Sequence, residues 1–286
     1  MIMEHIEFTG IAGRTVGEFL NSFHAAPKII NGMIGNKTIT VGGKPTALEH
    51  VLISEEVLGV PITDSCFLVP WDQPLAVVYE DEDILIVNKQ VGIIIHPDGT
   101  DKKTLDNIVF AHFLSEGRRL EPRHVHRLDS DTSGLVVYAK HFLAHAFLSW
   151  QIEQKLFRKK YYAVAMGKME NEQGTISLNI GRNRHCANKC LVFEGGKEAV
   201  TDYKVLFQLP NMALLEVEPQ TGRTHQIRVH LAALGHPLYG DKLYGKPDGR
   251  MMLHSFHVSF LHPRTRKMVI FETPVPEDFA IKRRQP

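Results

Sequence analysis

The stretch His124-Val-His-Arg-Leu-Asp-Ser-Asp-Thr-Ser-Gly134, followed at once by Leu135-Val-Val-Tyr138, sets a polar turn directly before an apolar strand. Such a turn between strands is where a sheet presents functional groups to solvent. It is equally a place where Asp and Ser side chains merely satisfy turn N–H groups. Working outward, residues 77–79 and 84–87 flank an acidic turn, Glu80 to Asp83, as an antiparallel hairpin would. Further strand patterns fall at 161–166, 175–180, 199–207, 213–217, 253–260 and 268–271, with helical patterns at 104–114, 141–156 and 224–234. Strands and helices do not alternate as βαβ units do. The pattern predicts an α+β fold on a mixed, mostly antiparallel sheet with flanking helices.

Ahead of this lies a smaller unit. Residues 14–24 and 29–34 read as short helices, and residues 38–41 as a strand entering a turn at Gly42-Gly43. Pro61, Pro70 and Pro74 mark a linker that few contacts should cross. The expected division is a small α+β domain over 1–65 and a catalytic domain over 66–286.

Composition narrows the class. The chain has 286 residues, 43% hydrophobic and 23% charged, which suits a globular protein with a sizeable core and excludes disorder and disulfide scaffolds. No apolar run approaches the ~18 residues of a membrane helix, and the first residues lack a signal-peptide pattern. Three cysteines fit a reducing cytosol, so the expected location is cytoplasmic. The net charge of +1 predicts no general attraction to polyanions, but residues 1–70 carry 4 basic and 7 acidic side chains, whereas residues 151–190 carry 8 and 3. There is no phosphate-binding glycine loop, dinucleotide fingerprint or zincin motif. His185, Cys186 and Cys190 lack a second ligand pair for zinc.

Three clusters can carry chemistry. In the opening stretch, Arg127, Asp129 and Asp131 alternate, so on an extended segment they would share a face. Two carboxylates beside an arginine suit either a nucleophile or a surface ion pair. In the second cluster, Thr221-Gly-Arg-Thr-His-Gln-Ile-Arg-Val-His230, Thr224 is placed to cap a helix with Arg223 at its entrance. That is an anion site, or an arginine paired with a nearby acid. His225 and His230, five apart, do not have metal-ligand spacing. In the third, Phe157-Arg-Lys-Lys-Tyr-Tyr-Ala-Val-Ala-Met-Gly167, the basic start suits backbone phosphates. Tyr161 shares a face with Ala163 and Ala165, as a ligand wall or as a core tyrosine.

Together these clusters resemble the RluA family of pseudouridine synthases. His126-Arg-Leu-Asp-Ser-Asp-Thr-Ser-Gly134 is similar to the family's aspartate signature, Lys159 to Gly167 to its tyrosine segment, and Thr221 to Ala232 with Gly235-His-Pro237 and Gly240-Asp241 to its third motif. Leu253-His254, His262-Pro263 and the 79–89 hairpin extend the likeness over about residues 75–275. The resemblance implies isomerisation of uridine to pseudouridine in ribosomal or transfer RNA, in a cleft of the sheet, without metal or cofactor; a monomer is the default expectation. It implies that Asp129 is the essential aspartate, Tyr161 the active-site tyrosine and Arg223 the arginine paired with the aspartate. Tyr161 would stack on the flipped base and accept the C5 proton. Arg127 would hold the uridine out of the stack, and His126, Lys159, Lys160 and Arg228 would face the RNA. Residues 12–60 weakly resemble an S4-type RNA-binding domain, although the first unit as a whole, residues 1–70, is acidic. The competing readings are a non-catalytic RNA-binding protein and a hydrolase using Asp129 with His126.

Overall fold

The computed structural model describes residues 5–62, 66–97, 103–183, 186 and 188–279. The chain opens with β1 (His5–Phe8), α1 (Val16–Asn21), α2 (Pro27–Gly35), β2 (Thr40–Val41), β3 (Lys44–Pro45) and β4 (Leu58–Pro61). Its four strands form a sheet in the order β1-β4-β2-β3. α1 begins at Val16 because Thr15 and Glu18 cap each other. The Glu18 N–H donates to Thr15 Oγ1 at 3.1 Å, and the Thr15 N–H donates to the Glu18 carboxylate at 2.8 Å. Pro61 closes β4 rather than opening a linker.

The remainder comprises β5 (Val77–Glu80), β6 (Ile84–Lys89), α3 (Leu105–Ser115), β7 (Arg123–His124), β8 (Ser133–Ala139), α4 (Phe142–Glu153), β9 (Arg158–Met166), β10 (Gln173–Ser177), β11 (Ile180–Arg182), β12 (Cys190–Val192), β13 (Val200–Leu209), β14 (Met212–Pro219), α5 (Gln226–Ala233), β15 (Leu253–Leu261) and β16 (Met268–Glu272). The main sheet runs β10-β13-β14-β9-β15-β8-β6-β5, with β16 added to β15 and β7 to β8. All of these pairings are antiparallel except β8 with β15, so the fold is the mixed, mostly antiparallel sheet expected. That parallel contact is close. Gly134 has φ 118°, and a Cβ there would lie 2.2 Å from the Ser255 carbonyl oxygen.

β6 and β8 are buried on both faces. Leu85, Val87, Val136 and Tyr138 pack in one core with Ile108, Val109 and Phe113 of α3. Their alternates Ile84, Ile86, Leu135 and Val137 pack in another with Ala144 and Leu148 of α4. The turn between β7 and β8 is thereby held on a rigid centre.

The expectation that few contacts join the first unit to the rest is corrected. His24 stacks on Trp150 with ring centres 4.0 Å apart, and Phe23 meets Phe147 edge-on. The Arg266 guanidinium lies 4.3 Å from the Phe23 ring centre and 3.8 Å from that of Phe147. Arg264 Nη1 donates to the Glu7 carbonyl at 2.7 Å. Trp150 and Phe147 stand on α4, so that helix packs on the main sheet through Ala144 and Leu148 and is covered on another side by residues of the first unit.

Candidate active site

Asp129 sits in the turn between β7 and β8, whose bend is closed by the Thr132 N–H donating to the Asp129 carbonyl at 3.1 Å. The segment is not extended, so Arg127, Asp129 and Asp131 do not form the alternating row expected of a strand. The next carbonyl, that of Ser130, accepts the Gly92 N–H at 2.8 Å and Lys89 Nζ at 3.2 Å. Lys89, at the end of β6, is only 2% exposed and also donates to the carbonyls of Gln90 and Ile93 at 3.0 and 2.9 Å. Burial lowers its pKa to about 8, against the opposing pull of the Asp129 and Asp131 charges. A buried ammonium solvated by three main-chain oxygens thus pins the turn that carries Asp129.

The arginine at Asp129 is Arg228, not Arg223. Arg228 Nη1 donates to Asp129 Oδ2 at 3.2 Å, while its Nε and Nη2 form a bidentate pair with the fully buried Asp241, both at 2.8 Å. Asp241 also accepts the N–H groups of Leu243 and Tyr244. Its carboxyl is held below the usual range because these hydrogen bonds and the guanidinium charge outweigh burial, the largest single influence. Arg223 is exposed and donates through Nε to the Glu198 carbonyl at 2.9 Å. The cause is the start of α5. Thr224 does not cap it. His225 takes a left-handed turn, the Gln226 side chain accepts the Arg223 N–H at 3.0 Å, and the helix begins at Gln226. The arginine inside the helix therefore points to the aspartate, and the one before it stays at the rim.

Tyr161, on β9, is buried at the floor of the same cleft of about 800 Å³, which Asp129, Arg127, Lys159, Arg223 and Arg228 also line. Burial pushes its hydroxyl well above the ordinary tyrosine value. Ser255 acts against this and the Asp129 charge adds to it, so the side chain is a neutral phenol. Lysine, arginine and one carboxylate thus converge on a water-accessible hollow beside an aromatic wall, an arrangement suited to an anionic, ring-bearing ligand.

The RNA pseudouridylate synthase family matches residues 83–233, a span that contains Asp129, Tyr161 and Arg228. The chain belongs to that family. It is similar to the uncharacterized RNA pseudouridine synthase YhcT of Bacillus subtilis, 44% identical over 76% of this chain and 74% of the relative. It is also similar to the ribosomal large subunit pseudouridine synthase D of Neisseria meningitidis, 37% identical over 84% of this chain and 69% of the relative. Among solved structures, human RNA pseudouridylate synthase domain containing 1 superposes with a TM-score of 0.59 at 31% identity, covering 70% of this chain and 83% of that one. The protein is an RNA pseudouridine synthase, an isomerase that converts uridine in RNA to pseudouridine.

Within this synthase the remaining sequence candidates separate. Lys159 lines the cleft, and burial lowers its ammonium pKa to about 8. Arg127 is exposed at the cleft mouth, with Nη1 3.3 Å from His96 Nε2. Lys160 was expected to face RNA, but it alternates to the opposite face of β9 and donates to Glu216 at 2.8 Å. His126 lines the inner wall of the cleft but is largely buried. Its Nε2 accepts the Val137 N–H at 3.4 Å and its ring packs against Phe157, so it braces the turn against β8. Burial holds its pKa well below the ordinary histidine value. Two other groups bring potential ligand atoms within 4.8 Å of one another, Glu80 with His112 and Glu116, and Asp81 with Asp83 and His262. Lys140 donates to Glu80 and Arg264 to Asp83, so both are ion-pair networks built on the β5–β6 hairpin. His185 lies outside the described residues, Cys190 is buried and Cys186 is exposed.

Proposed function

We propose that this synthase modifies a uridine of ribosomal or transfer RNA through the carboxylate of Asp129. The observation that carries the reading is Asp129 in the cleft with Oδ2 held by Arg228, which is itself fixed by Asp241. Isomerisation breaks the N1–C1′ bond, turns the uracil and joins C5 to C1′, with loss of the C5 proton and protonation of N1. A carboxylate suits the first step, either by attack on C1′ or by removal of the C2′ proton. The uracil of a duplex is inaccessible, so the nucleotide is flipped into the cleft, at roughly a few kcal/mol. In this reading Tyr161 stacks on the base as a neutral phenol rather than acting as the base that receives the C5 proton, a role its raised pKa disfavours. Arg127, at the mouth, occupies the place the nucleotide leaves. Lys159 and Arg223 meet phosphates. The Neisseria relative, by its name, supports a ribosomal target. We assign the enzyme to the cytoplasm as a monomer, with residues 1–65 as an S4-like accessory unit and residues 66–286 as the catalytic domain.

The test uses ribosomal and transfer RNA transcripts tritiated at uridine C5. Tritium release and a carbodiimide-reactive product are expected from the wild-type chain and not from Asp129→Asn, which keeps volume and removes the charge. Asp131→Asn retains most activity. Turnover of Asp129→Asn within about tenfold of wild type would remove Asp129 from the chemistry.

A further inference from the structure

His225 has φ 57°, in the left-handed region that side-chain-bearing residues mostly avoid, Asn, Asp and His entering it more often than others. A glycine would take this conformation freely, yet the position holds a ring with two polar contacts. Nδ1 lies 2.9 Å from the Tyr244 hydroxyl, and Nε2 lies 3.6 Å from Asp129 Oδ2.

The Tyr244 hydroxyl fixes the direction of these contacts. It accepts the Cys190 N–H at 2.8 Å, which leaves its single proton available to Nδ1. Burial keeps His225 below the ordinary histidine pKa, although Asp129, Asp241 and Asp131 draw it upward; Arg228 adds to the lowering. With Tyr244 donating to Nδ1, the neutral ring that burial favours carries its one N–H on Nε2, facing Asp129. Arg228 Nη1 reaches the same oxygen, Oδ2. Among the described residues Oδ1 accepts no hydrogen bond.

We infer that His225 is a positioning residue, its tautomer set by Tyr244, whose Nε2–H acts with Arg228 to hold Asp129 by Oδ2 and present Oδ1 to the substrate. The inference rests on Asp129 being the reacting carboxylate. At 3.6 Å the Nε2 contact is too long for a hydrogen bond, so the role requires it to shorten when substrate fills the cleft. No proton crosses this chain during turnover. Its work is to fix one carboxylate rotamer, and the left-handed backbone at His225 is what brings the ring within reach. Cys190 lies on β12, so the same hydroxyl ties the β11–β12 ribbon to the start of α5.

Three variants separate this role from a structural one. His225→Gln restores an N–H donor near the position of Nε2. His225→Asn tolerates the left-handed backbone but is too short to reach Asp129. Tyr244→Phe removes only the hydroxyl. Single-turnover tritium release at saturating RNA is expected to fall about thirtyfold in His225→Asn and about tenfold in Tyr244→Phe, the scale of one lost hydrogen bond. His225→Gln should stay within about fivefold of wild type, and RNA dissociation constants should be unchanged throughout. Nitrogen-15 NMR of the imidazole, which needs no activity, should show the Nε2–H tautomer in wild type and a mixture in Tyr244→Phe. Wild-type rates in His225→Asn, or losses confined to RNA affinity, overturn the inference while leaving the assignment of Asp129 intact. So does an Nδ1–H tautomer. If Asp129→Asn is active, the underlying reading fails and the inference with it.

Discussion

Replacing Arg228 and Arg223 in turn separates the two arginines that look equivalent in the sequence. Arg228→Ala leaves Asp241 as an unpaired charge with no exposed surface, because both of its bidentate bonds come from that guanidinium. Breaking a buried pair from one side costs about 3–5 kcal/mol. Against a total stability of roughly 5–15 kcal/mol this is a large loss, a fall in Tm on the order of 10 °C. Activity should fall further than stability explains, because Asp129 loses a charge-assisted hydrogen bond worth about 1.5–3 kcal/mol, or roughly ten- to hundredfold in rate. The double variant Arg228→Met with Asp241→Asn isolates that second effect. With both charges gone the core is no longer left with an orphan, so Tm should recover most of its loss while turnover does not. Arg223→Ala, by contrast, removes an exposed side chain held by one carbonyl. It should change stability by less than ~0.5 kcal/mol, weaken RNA binding, and reduce the salt slope by about one, with turnover at saturating RNA preserved. The assays are thermal denaturation, RNA binding across salt, and single-turnover tritium release. If Arg223→Ala lost the rate and Arg228→Ala kept it, the positioning argument would be refuted.

Burial of Lys89 at a pKa of about 8 means that the unfolded chain, with an ordinary lysine near 10.5, binds more protons between those values. Lys89 therefore contributes a stability that rises with pH from about 8 to about 10.5, and Lys89→Met should lose that rise while turning over more slowly through a looser Asp129 turn; parallel pH–stability curves for the two proteins would count against it. His254, buried between Ser133 and Thr273, has its pKa lowered to about 4, so the unfolded chain binds its proton first as pH falls. Stability should drop between about pH 6.5 and 4, and His254→Asn should flatten that part of a chemical denaturation series. Deleting residues 1–65 uncovers Phe147 and Trp150 on α4. The product should be insoluble or melt at least ~10 °C lower, and a soluble truncation with the wild-type Tm would contradict the packing argument.

Most of the main sheet was legible because its central strands are short runs of branched or aromatic residues bounded by turn residues, as in β6 and β8, which are buried on both faces. The first unit was less so. β1 and β4 are four residues each, and β4 is Leu-Gly-Val-Pro, a composition that reads locally as a break. What makes it a strand is pairing on both edges, with β1 and β2, a non-local fact. The same limit explains the linker. Proline marks a break in hydrogen-bonded structure, but it says nothing of what packs across the break, and His24 on Trp150 joins residues far apart in sequence.

At the site, residue types left Asp129 and Tyr161 open between functional and structural readings and the family resemblance singled them out, while the partner of the aspartate depended on where one helix starts. Thr224 carries the local signal of a cap, and that signal places Arg223 at the helix entrance. The fold overrides it because the Gln226 side chain bonds Thr221, Thr201 and the Val200 carbonyl, anchoring the segment to β13 before the helix begins. Once α5 starts at Gln226, Arg228 lies in a run buried from Gln226 to Leu231, where a guanidinium persists only with carboxylate partners. Gly240-Asp241 supplies one of them. Gly240 has φ 73°, and a Cβ there would lie 2.1 Å from the Arg250 carbonyl, so the chain makes this close turn only with glycine and thereby delivers Asp241 to the guanidinium. An arginine embedded in the apolar sequence Ile227-Arg-Val229 was therefore the readable sign: a cation that the helix cannot expose must be matched by a buried carboxylate, and a guanidinium already satisfied on two nitrogens has a third left for the aspartate in the cleft.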